Sequence, residues 1–319
     1  MIRVGLVGTG YAAKLRAEAV NQDDRATLVG VTGHQPDKTA EFGRTHHTQA
    51  FNISQELINA VDLVILCGVN SEHSQVARSA LESGRHVVVE YPLAIDFHSA
   101  QSAIELARSQ NRLLHVEHIE ILGGVHQAFL RSLSQIGTPF YARYITLTPQ
   151  NPAPAKWTYN PSLFGFPLVG ALSRLHRLIH AFGQVQSVSC QNRYWNLQND
   201  RYTGCMCKAQ LNFQNGVIAD VIYGKGETIW TSERKLEVQG DRGALIFDGD
   251  RGALINSEGV SEIEVGARRG LFTKDTSAVL DYLTNGTPLY VQPEESLYTL
   301  RVAIAAQRAV EQGQTVSID

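Results

Sequence analysis

The sequence predicts an α/β fold followed by an α+β fold. The N-terminal part is predicted to be a Rossmann domain with a doubly wound parallel sheet, and the C-terminal part an open antiparallel sheet packed on helices. A strand at residues 3–7 leads into a glycine-rich turn and a helix at residues 11–21. Strands then alternate with helices up to residue 120, which is typical of a parallel sheet. Beyond it, strands follow one another through tight turns, which indicates antiparallel pairing.

The glycine-rich turn has the pattern G-x-G-x-x-A. Its members are Gly8, Thr9, Gly10, Tyr11, Ala12 and Ala13. The first glycine permits a sharp turn, the second leaves room for a pyrophosphate, and the small last residue lets helix and strand pack closely. Backbone N–H groups at the start of the helix would face the phosphates. We therefore expect a dinucleotide site at residues 8–12, with a purely structural tight turn as the alternative.

The end of the second predicted strand, residues 27–32, bears on the choice of nicotinamide cofactor. NAD enzymes usually carry an acid there, about 20 residues past the glycines, which binds the ribose 2′-OH. This chain has Gly33 and His34 instead, with Lys38 just beyond. No acid there repels a 2′-phosphate, and His34 and Lys38 would bind one. We predict NADPH as the cofactor; the alternative is that specificity is set elsewhere and His34 is a solvated loop residue.

The other strand ends of the first half are predicted to border the same crevice. Strands are predicted at residues 62–67, 86–89 and 113–116, and helices at 36–43, 54–59, 71–83 and 97–109, with Ser71 as an N-cap. Ligands in such sheets bind beyond the carboxyl ends of the strands. The residues at those ends are Gly8, Gly33, Gly68, Val69, Asn70, Glu90, Tyr91, Glu117 and His118. This cofactor domain is predicted to span residues 1–120.

Residues 121–319 are predicted to form the substrate-binding domain. Helices are expected at 123–133, 170–182, 275–284 and 294–311, and strands at 140–147, 185–194, 203–213, 217–223, 235–239 and 244–247. Asn215-Gly216 and Asp241-Arg242-Gly243 have the composition of hairpin turns. Hairpin-linked strands of this kind indicate one antiparallel sheet packed on its helices.

Composition and charge argue against several classes of protein. A formal net charge of −3 and a pI of about 6.4 do not suit a nucleic-acid surface. No apolar run approaches the ~20 residues of a membrane span, and the chain opens on a strand rather than a signal peptide. The cysteines lack the spacing of a zinc site: Cys67, Cys190, Cys205 and Cys207. We expect reduced thiols, no metal site and a cytoplasmic protein; the sequence leaves the oligomeric state open.

This order of parts resembles the glucose–fructose oxidoreductase/inositol dehydrogenase family, in which a Rossmann domain precedes an open antiparallel sheet that carries the substrate. The family's Glu-Lys-Pro motif corresponds here to Glu90-Tyr91-Pro92. The Asp and catalytic His on the first helix of the family's second domain correspond to Gly170 and Arg174. The groups that would deprotonate a sugar hydroxyl are therefore missing. The substrate should be one whose reduction creates no alkoxide.

One branch of the family fits that requirement, the biliverdin reductases of the cyanobacterial type. The blocks that resemble this branch are residues 86–93, 114–120, 123–127, 150–154, 164–169, 221–226 and 268–272. The resemblance implies NADPH-dependent reduction of biliverdin IXα to bilirubin IXα, by hydride transfer to the central C10 methine with protonation of a pyrrole nitrogen. Two alternatives are an NADPH-dependent reductase of another conjugated or carbonyl substrate, and a catalytically silent NADPH-binding regulatory protein.

The resemblance implies catalytic roles for Arg174 and Tyr91. Arg174 would stabilise negative charge on the bilin, hold a propionate or pass on a proton; a structural ion pair is the alternative. Arg177, at i+3, would serve in its place. The ring of Tyr91 would pack against nicotinamide or bilin, and its phenol would donate; the alternative is a packing residue.

The remaining candidates divide between cofactor and substrate. Glu90 lies at a strand end, and His73 stands where the family often has a cofactor-side histidine. For each, a structural role is the alternative. The alternatives for the substrate candidates are a structural polar network, the protein core or a solvated surface position. These candidates are Glu117, His118, Trp157, Arg177, Lys225, Arg234, Arg268 and Arg269.

Overall fold

The computed structural model describes residues 1–267 and 269–318. Its strands, β1 to β15 in chain order, are Ile2–Val7, Ala26–Thr32, Gln49–Phe51, Leu63–Leu66, His86–Glu90, Leu114–Glu117, Pro139–Pro149, Val185–Trp195, Gly204–Phe213, Ile218–Gly226, Glu233–Gly240, Gly243–Asp248, Arg251–Asn256, Gly259–Ile263 and Val316–Ser317. Its helices, α1 to α11, are Tyr11–Asn21, Pro36–Thr45, Ser54–Ala60, His73–Glu82, Phe97–Ser109, Gly124–Ser132, Pro161–Phe164, Pro167–Gly170, Ser173–Phe182, Leu271–Asn285 and Pro293–Gln312. Short 3₁₀ turns lie at Asn70–Glu72, Ile119–Leu122, Leu133–Ile136 and Trp157–Tyr159.

The first of two compact units comprises Met1–Ile119 and Gly270–Tyr298. Within the described residues its sheet has the order β3-β2-β1-β4-β5-β6, and each neighbouring pair is parallel. All four residues of β4 are buried, as expected for a strand covered on both faces. The strand order changes direction between β1 and β4, where ligands of such sheets bind. The predicted Rossmann fold is confirmed.

The second unit comprises Glu120–Arg269 and Thr299–Asp319. In the part of the chain that the structure describes, its sheet has the order β14-β13-β12-β11-β7-β10-β9-β8-β15. Neighbouring strands pair antiparallel except β7 and β10, which run parallel. The predicted sheet is thus mostly antiparallel. The parallel pair arises because β7 and β10 are far apart in sequence, so the long connection that a parallel pair requires is available.

Several boundaries differ from the sequence prediction. The helix expected at residues 170–182 is divided, since α8 ends at Gly170 and α9 begins at Ser173. Ser71 does not cap α4 but lies inside the 3₁₀ turn that leads into it. The sequence did not predict β3, β13, β14 and β15. Most residues of β14 are exposed, so that strand lacks the alternating apolar pattern of a half-buried strand.

The segment Gly270–Tyr298 groups with the first unit, whereas the sequence assigned everything after residue 120 to the second domain. The cause is the packing of α10 on α1. Arg16 of α1 forms a fully buried ion pair with Asp275 of α10. Buried ion pairs between distant segments leave no local pattern in a sequence, so the return of the chain could not be predicted.

Two features are absent from the described residues. No described helix combines the length and apolar character needed to cross a membrane. Residues 1–267 and 269–318 contain no group of three or more His, Cys, Asp or Glu side chains that could hold a metal ion. The four thiols are free, and Cys190 Sγ lies 3.6 Å from Cys207 Sγ.

Candidate active site

The glycine turn after β1 is shaped to accept a pyrophosphate. Gly8 has a φ of 122°, and a Cβ there would meet the carbonyl oxygen of Cys67 at 2.6 Å, so only glycine fits. At Gly10 an added Cβ would meet nothing within 4 Å, so the space over the backbone is open. Gly10 is also the N-cap of α1, and no side chain caps the helix. The first N–H groups of α1 are therefore available to an anion, and the turn fits the phosphates of a dinucleotide.

The residues around this turn are packed to different degrees. A Cβ on Gly33 would lie 3.1 Å from the side chains of Thr9 and Thr39. The Tyr11 side chain is 77% exposed and meets Phe272 edge to face, with ring centroids 6.4 Å apart. Ala12 is half-buried. There is therefore little space for a side chain at Gly33, whereas the ring of Tyr11 at the start of α1 is exposed.

The predicted 2′-phosphate residues lie at the surface. Lys38 is exposed, and His34 Nε2 lies 2.9 Å from Glu72 Oε2. Glu72 was not predicted to lie beside His34, because it follows a different strand, β4.

The end of β4 leads into buried polar groups. Gly68 and Val69 follow the strand, Val69 with an extended backbone, and Asn70 is buried. His73 is buried, with Nδ1 2.8 Å from the carbonyl oxygen of Pro92. Burial lowers the pKa of His73 although backbone hydrogen bonds oppose the shift, so the neutral ring donates from Nδ1. This contact accounts for the orientation of His73, and its cofactor role stays a prediction.

A buried charge network lies behind the end of β5. Glu90 Oε1 accepts a hydrogen bond of 2.8 Å from Arg16 Nε, and Arg16 Nη1 binds Asp275. Asp275 Oδ1 also accepts a 2.6 Å hydrogen bond from the hydroxyl of Tyr290 and lies 2.8 Å from His115 Nε2. Burial alone would raise the pKa of Asp275, but Arg16 and His115 lower it well below its usual range. The contacts of Arg16 with the carboxylates of Glu90 and Asp275 were not predicted, because a lysine or arginine on a helix is usually exposed.

The two candidates at the end of β6 are buried as well. His118 is 0% exposed, and its ring lies parallel to that of Tyr91, at 3° and with centroids 5.5 Å apart. Glu117 Oε2 accepts a 2.8 Å hydrogen bond from the backbone N–H of Ile119. Burial first, and then the charge of Glu90, raises the pKa of Glu117 well above its usual range. Burial leaves neither side chain accessible, which argues against the direct substrate contact predicted for them.

The second unit contains a cluster of three arginines around one carboxylate. Glu120 lies 3.5 Å from Arg174 Nη1, 3.1 Å from Arg177 Nη2 and 3.4 Å from Arg234 Nη2. Burial would raise the pKa of Glu120, but the three guanidiniums outweigh it and lower the pKa to about 2. The i, i+3 spacing on α9 brings Arg174 and Arg177 to the same side of the helix. Glu120 was missed as their partner, although it ends the polar run after β6.

The members of this cluster differ in exposure. The Arg174 side chain is 19% exposed and also donates to Ser173 Oγ at 2.7 Å. Its Cζ lies 5.8 Å from the ring centre of Tyr223, and Arg177, almost fully buried, stacks over Tyr144 at 5.3 Å. Arg174 is therefore the more accessible of the two arginines on α9.

Lys225 is buried rather than solvated, which corrects the sequence expectation. It is 6% exposed, and Nζ donates a 2.6 Å hydrogen bond to the carbonyl oxygen of Thr158. Nζ lies 4.0 Å from the ring centre of Phe164 and 4.8 Å from that of Tyr159. Burial, aided by the charge of Arg174, lowers the pKa of Lys225 to about 8 although Cys205 acts in the opposite direction. Lys225 therefore lacks the exposure that a direct contact with a carboxylate substrate requires.

Two further substrate candidates, Trp157 and Arg269, are less constrained. Trp157 is half-buried, with its ring centre 6.0 Å from that of Phe164. Arg269 is exposed, and Arg268 lies outside the described residues.

The fold and the glycine turn define a dinucleotide-dependent oxidoreductase with a second α/β domain, and comparison with family profiles agrees. Residues 2–118 match "Oxidoreductase family, NAD-binding Rossmann fold" and residues 133–318 match "Oxidoreductase family, C-terminal alpha/beta domain". The chain belongs to this family, that of the glucose–fructose oxidoreductases and inositol dehydrogenases (GFO/IDH/MocA).

Within the family, the chain is similar to biliverdin reductases. It is 50% identical, with a TM-score of 0.95, to the biliverdin reductase of Synechocystis sp. PCC 6803, solved in complex with biliverdin and NADP+; the match covers 97% of this chain and 99% of that one. Biliverdin reductase A of Mus musculus is 26% identical over 98% of this chain and 97% of that protein. Myo-inositol 2-dehydrogenase of Thermotoga maritima is 21% identical over 100% of this chain and 99% of that protein. The predicted resemblance to the biliverdin reductase branch is confirmed.

Proposed function

We propose that this chain reduces biliverdin IXα to bilirubin IXα with NADPH. The observation that carries the proposal is the 50% identity, over 97% of the chain, to a biliverdin reductase solved with biliverdin and NADP+. The glycine turn fits the cofactor, since the space over Gly10 is open. When bound, NADPH supplies a hydride, which the bilin accepts at its C10 methine while a pyrrole nitrogen takes up a proton.

The residue that precedes Pro92 supports this choice of substrate. Members of the family that oxidise sugars use a lysine there, and this chain has Tyr91. A phenol donates a hydrogen bond and offers a flat ring, but it is not the amine that exchanges a proton with a sugar hydroxyl. Tyr91 therefore suits a planar conjugated acceptor, and we assign it to packing against the reacting groups.

The arginine cluster provides the charge that such a reaction needs. Glu120 balances one of the three positive charges of Arg174, Arg177 and Arg234, so the cluster keeps a positive excess. Both the propionates of a bilin and the pyrrole anion formed on hydride addition are negative. A partly desolvated guanidinium attracts such charge more strongly than one in water. We assign this role to Arg174, because it is the more exposed arginine of α9, and we assign Arg177 to holding Glu120.

The test is to mix the purified protein with NADPH and biliverdin IXα and to follow colour and NADPH together. We expect a change from green to yellow with one NADPH consumed for each bilirubin formed. NADPH binding without bilin reduction would support a catalytically silent regulatory protein instead. Reduction of carbonyl compounds with no bilin turnover would support the other alternative.

A further inference from the structure

We propose that buried His118 is a positioning residue that holds the ring of Tyr91 in its working orientation. This inference rests on the proposed function, in which Tyr91 contacts the reacting groups. The sequence grouped His118 with the residues that touch substrate. Its complete burial excludes that role in this structure, whereas its parallel contact with Tyr91 offers another.

His118 is held through both its ring and its backbone. Its Nε2 lies 3.0 Å from Ser296 Oγ, and its backbone N–H donates to the hydroxyl of Tyr290 at 3.2 Å. A buried ring held in this way cannot turn without losing a hydrogen bond that no water replaces. It therefore presents one flat face, and an offset parallel arrangement is a favoured geometry for two such rings.

The side chain of the residue before Tyr91 belongs to the same network. Glu90, the preceding residue, binds Arg16, and Arg16 binds Asp275. Asp275 accepts the hydroxyl hydrogen of Tyr290, whose oxygen in turn receives the N–H of His118. The contacts thus form a closed circuit that begins at the side chain of Glu90, next to Tyr91 in the sequence, and returns to the face of the Tyr91 ring.

Two members of this circuit come from distant sequence. Asp275 and Tyr290 lie in Gly270–Tyr298, the segment that returns to the first unit, as does Ser296. A chain that only needed a stable Rossmann core could bury apolar side chains at these positions, because a buried polar network is costly unless every member is paired. The positioning role explains why Tyr290 and Ser296 contact His118, and why Asp275 joins Tyr290 to Arg16.

The kinetic test is a double-mutant cycle in full-length protein with biliverdin and NADPH. His118→Ala should lower kcat about tenfold with little change in KM, since a displaced ring beside the reacting groups costs rate rather than binding. His118→Phe, which keeps a flat ring, should recover most of that loss. In a Tyr91→Ala background, His118→Ala should have no further effect on kcat, because its influence passes through Tyr91. His86→Ala is the matched control at the opposite end of β5 and should leave kcat unchanged.

The spectroscopic test reads the ring itself, in protein labelled with fluorotyrosine. The fluorine resonance of Tyr91, identified by its absence in Tyr91→Phe, should shift and broaden in His118→Ala and return in His118→Phe. Should His118→Ala not fold, Ser296→Ala replaces it, and the same resonance should shift to a smaller extent. An unmoved resonance, or an equal loss of kcat by His118→Ala with and without Tyr91, overturns the proposal. Wild-type kcat in Tyr91→Ala overturns the role of Tyr91, whereas absence of bilin reduction by the wild type overturns the proposed function.

Discussion

Arg174 directs one arm of its guanidinium at Glu120, with Nη1 3.5 Å from Oε1. The same carboxylate is shared with Arg177 and Arg234. Glu120 therefore orients Arg174 without neutralising the cluster. An oriented guanidinium with excess positive charge around it suits a substrate that becomes negative during the reaction.

Arg174→Ala should lower kcat for biliverdin by about 10², the loss expected on removing one preorganised stabilising group. The affinity for NADPH should barely change, and Arg174→Lys should restore activity only in part because an ammonium lacks the planar fork. Steady-state kinetics and NADPH titration measure both effects. Arg193→Ala, at an exposed arginine on β8 that stacks on Trp195, is the control. A raised KM with intact kcat would make Arg174 a propionate anchor, and wild-type kinetics would remove it from the mechanism.

The cofactor preference should favour NADPH over NADH clearly, as measured by kcat/KM with each cofactor. His34→Ala should bring the two kcat/KM values closer together, by removing an imidazole that would hydrogen-bond to the 2′-phosphate. Gly33→Asp should shift it towards NADH, provided that Thr9 and Thr39 yield slightly, because a Cβ at Gly33 would stand 3.1 Å from each. Equal kcat/KM values for the two cofactors in the wild type would refute the interpretation of the β2 end.

Sugars, polyols and hydroxy acids should not be oxidised with NADP+. The reason is that Tyr91 stands where the family has lysine, and Arg174 where it has histidine. The measurement is NADPH formation from inositol, glucose and lactate over a range of pH, with a sugar dehydrogenase as positive control. Robust turnover of any of them would contradict the chemical argument from the missing base.

The burial of Lys225 should make stability depend on pH in the alkaline range. Its pKa is about 8 in the folded protein and 10.5 ordinarily, so between those values the unfolded chain binds a proton that the folded chain does not. The free energy of unfolding attributable to Lys225 should therefore rise with pH through this window, by about 3 kcal/mol in total. Below pH 8 Lys225 is charged in both the folded and the unfolded chain, so the folded protein bears the full cost of burying that charge.

Denaturant unfolding of wild type and Lys225→Met at several pH values measures this effect together with that of Cys205, whose thiol pKa Lys225 lowers. Groups remote from these two residues titrate equally in both proteins. The unfolding free energy of the wild type should rise relative to that of Lys225→Met as the pH increases through this window. Lys208→Met, at an exposed lysine on β9, serves as the control and should give a constant difference. A constant difference for Lys225→Met as well would mean that Lys225 stays charged throughout.

The first unit could be predicted well because its signals are local. The glycine pattern and the short apolar strands each depend on neighbouring residues, and strand alternation with helices follows from them. The course of Gly270–Tyr298 could not, because it depends on the buried pair of Arg16 and Asp275, which are distant in sequence.

In the candidate site, too, local features could be predicted from the sequence and contacts between distant residues could not. The i, i+3 pair of Arg174 and Arg177 is visible in the sequence once a helix is assumed, and the strand-end residues follow from the sheet. The carboxylate between them, Glu120, could be found only in three dimensions. Lys225 was misjudged because a lysine is rarely buried, and only the aromatic rings and the Thr158 carbonyl that surround it make burial possible.

The most direct test of hydride transfer to C10 is isotopic labelling of the hydride. NADPH carrying deuterium at the transferable position of C4 is oxidised by the enzyme with biliverdin IXα, and the product is examined by NMR and mass spectrometry. We expect bilirubin IXα with one deuterium, located at C10. Deuterium at another carbon, or an unlabelled product, would contradict hydride transfer from NADPH to the central methine.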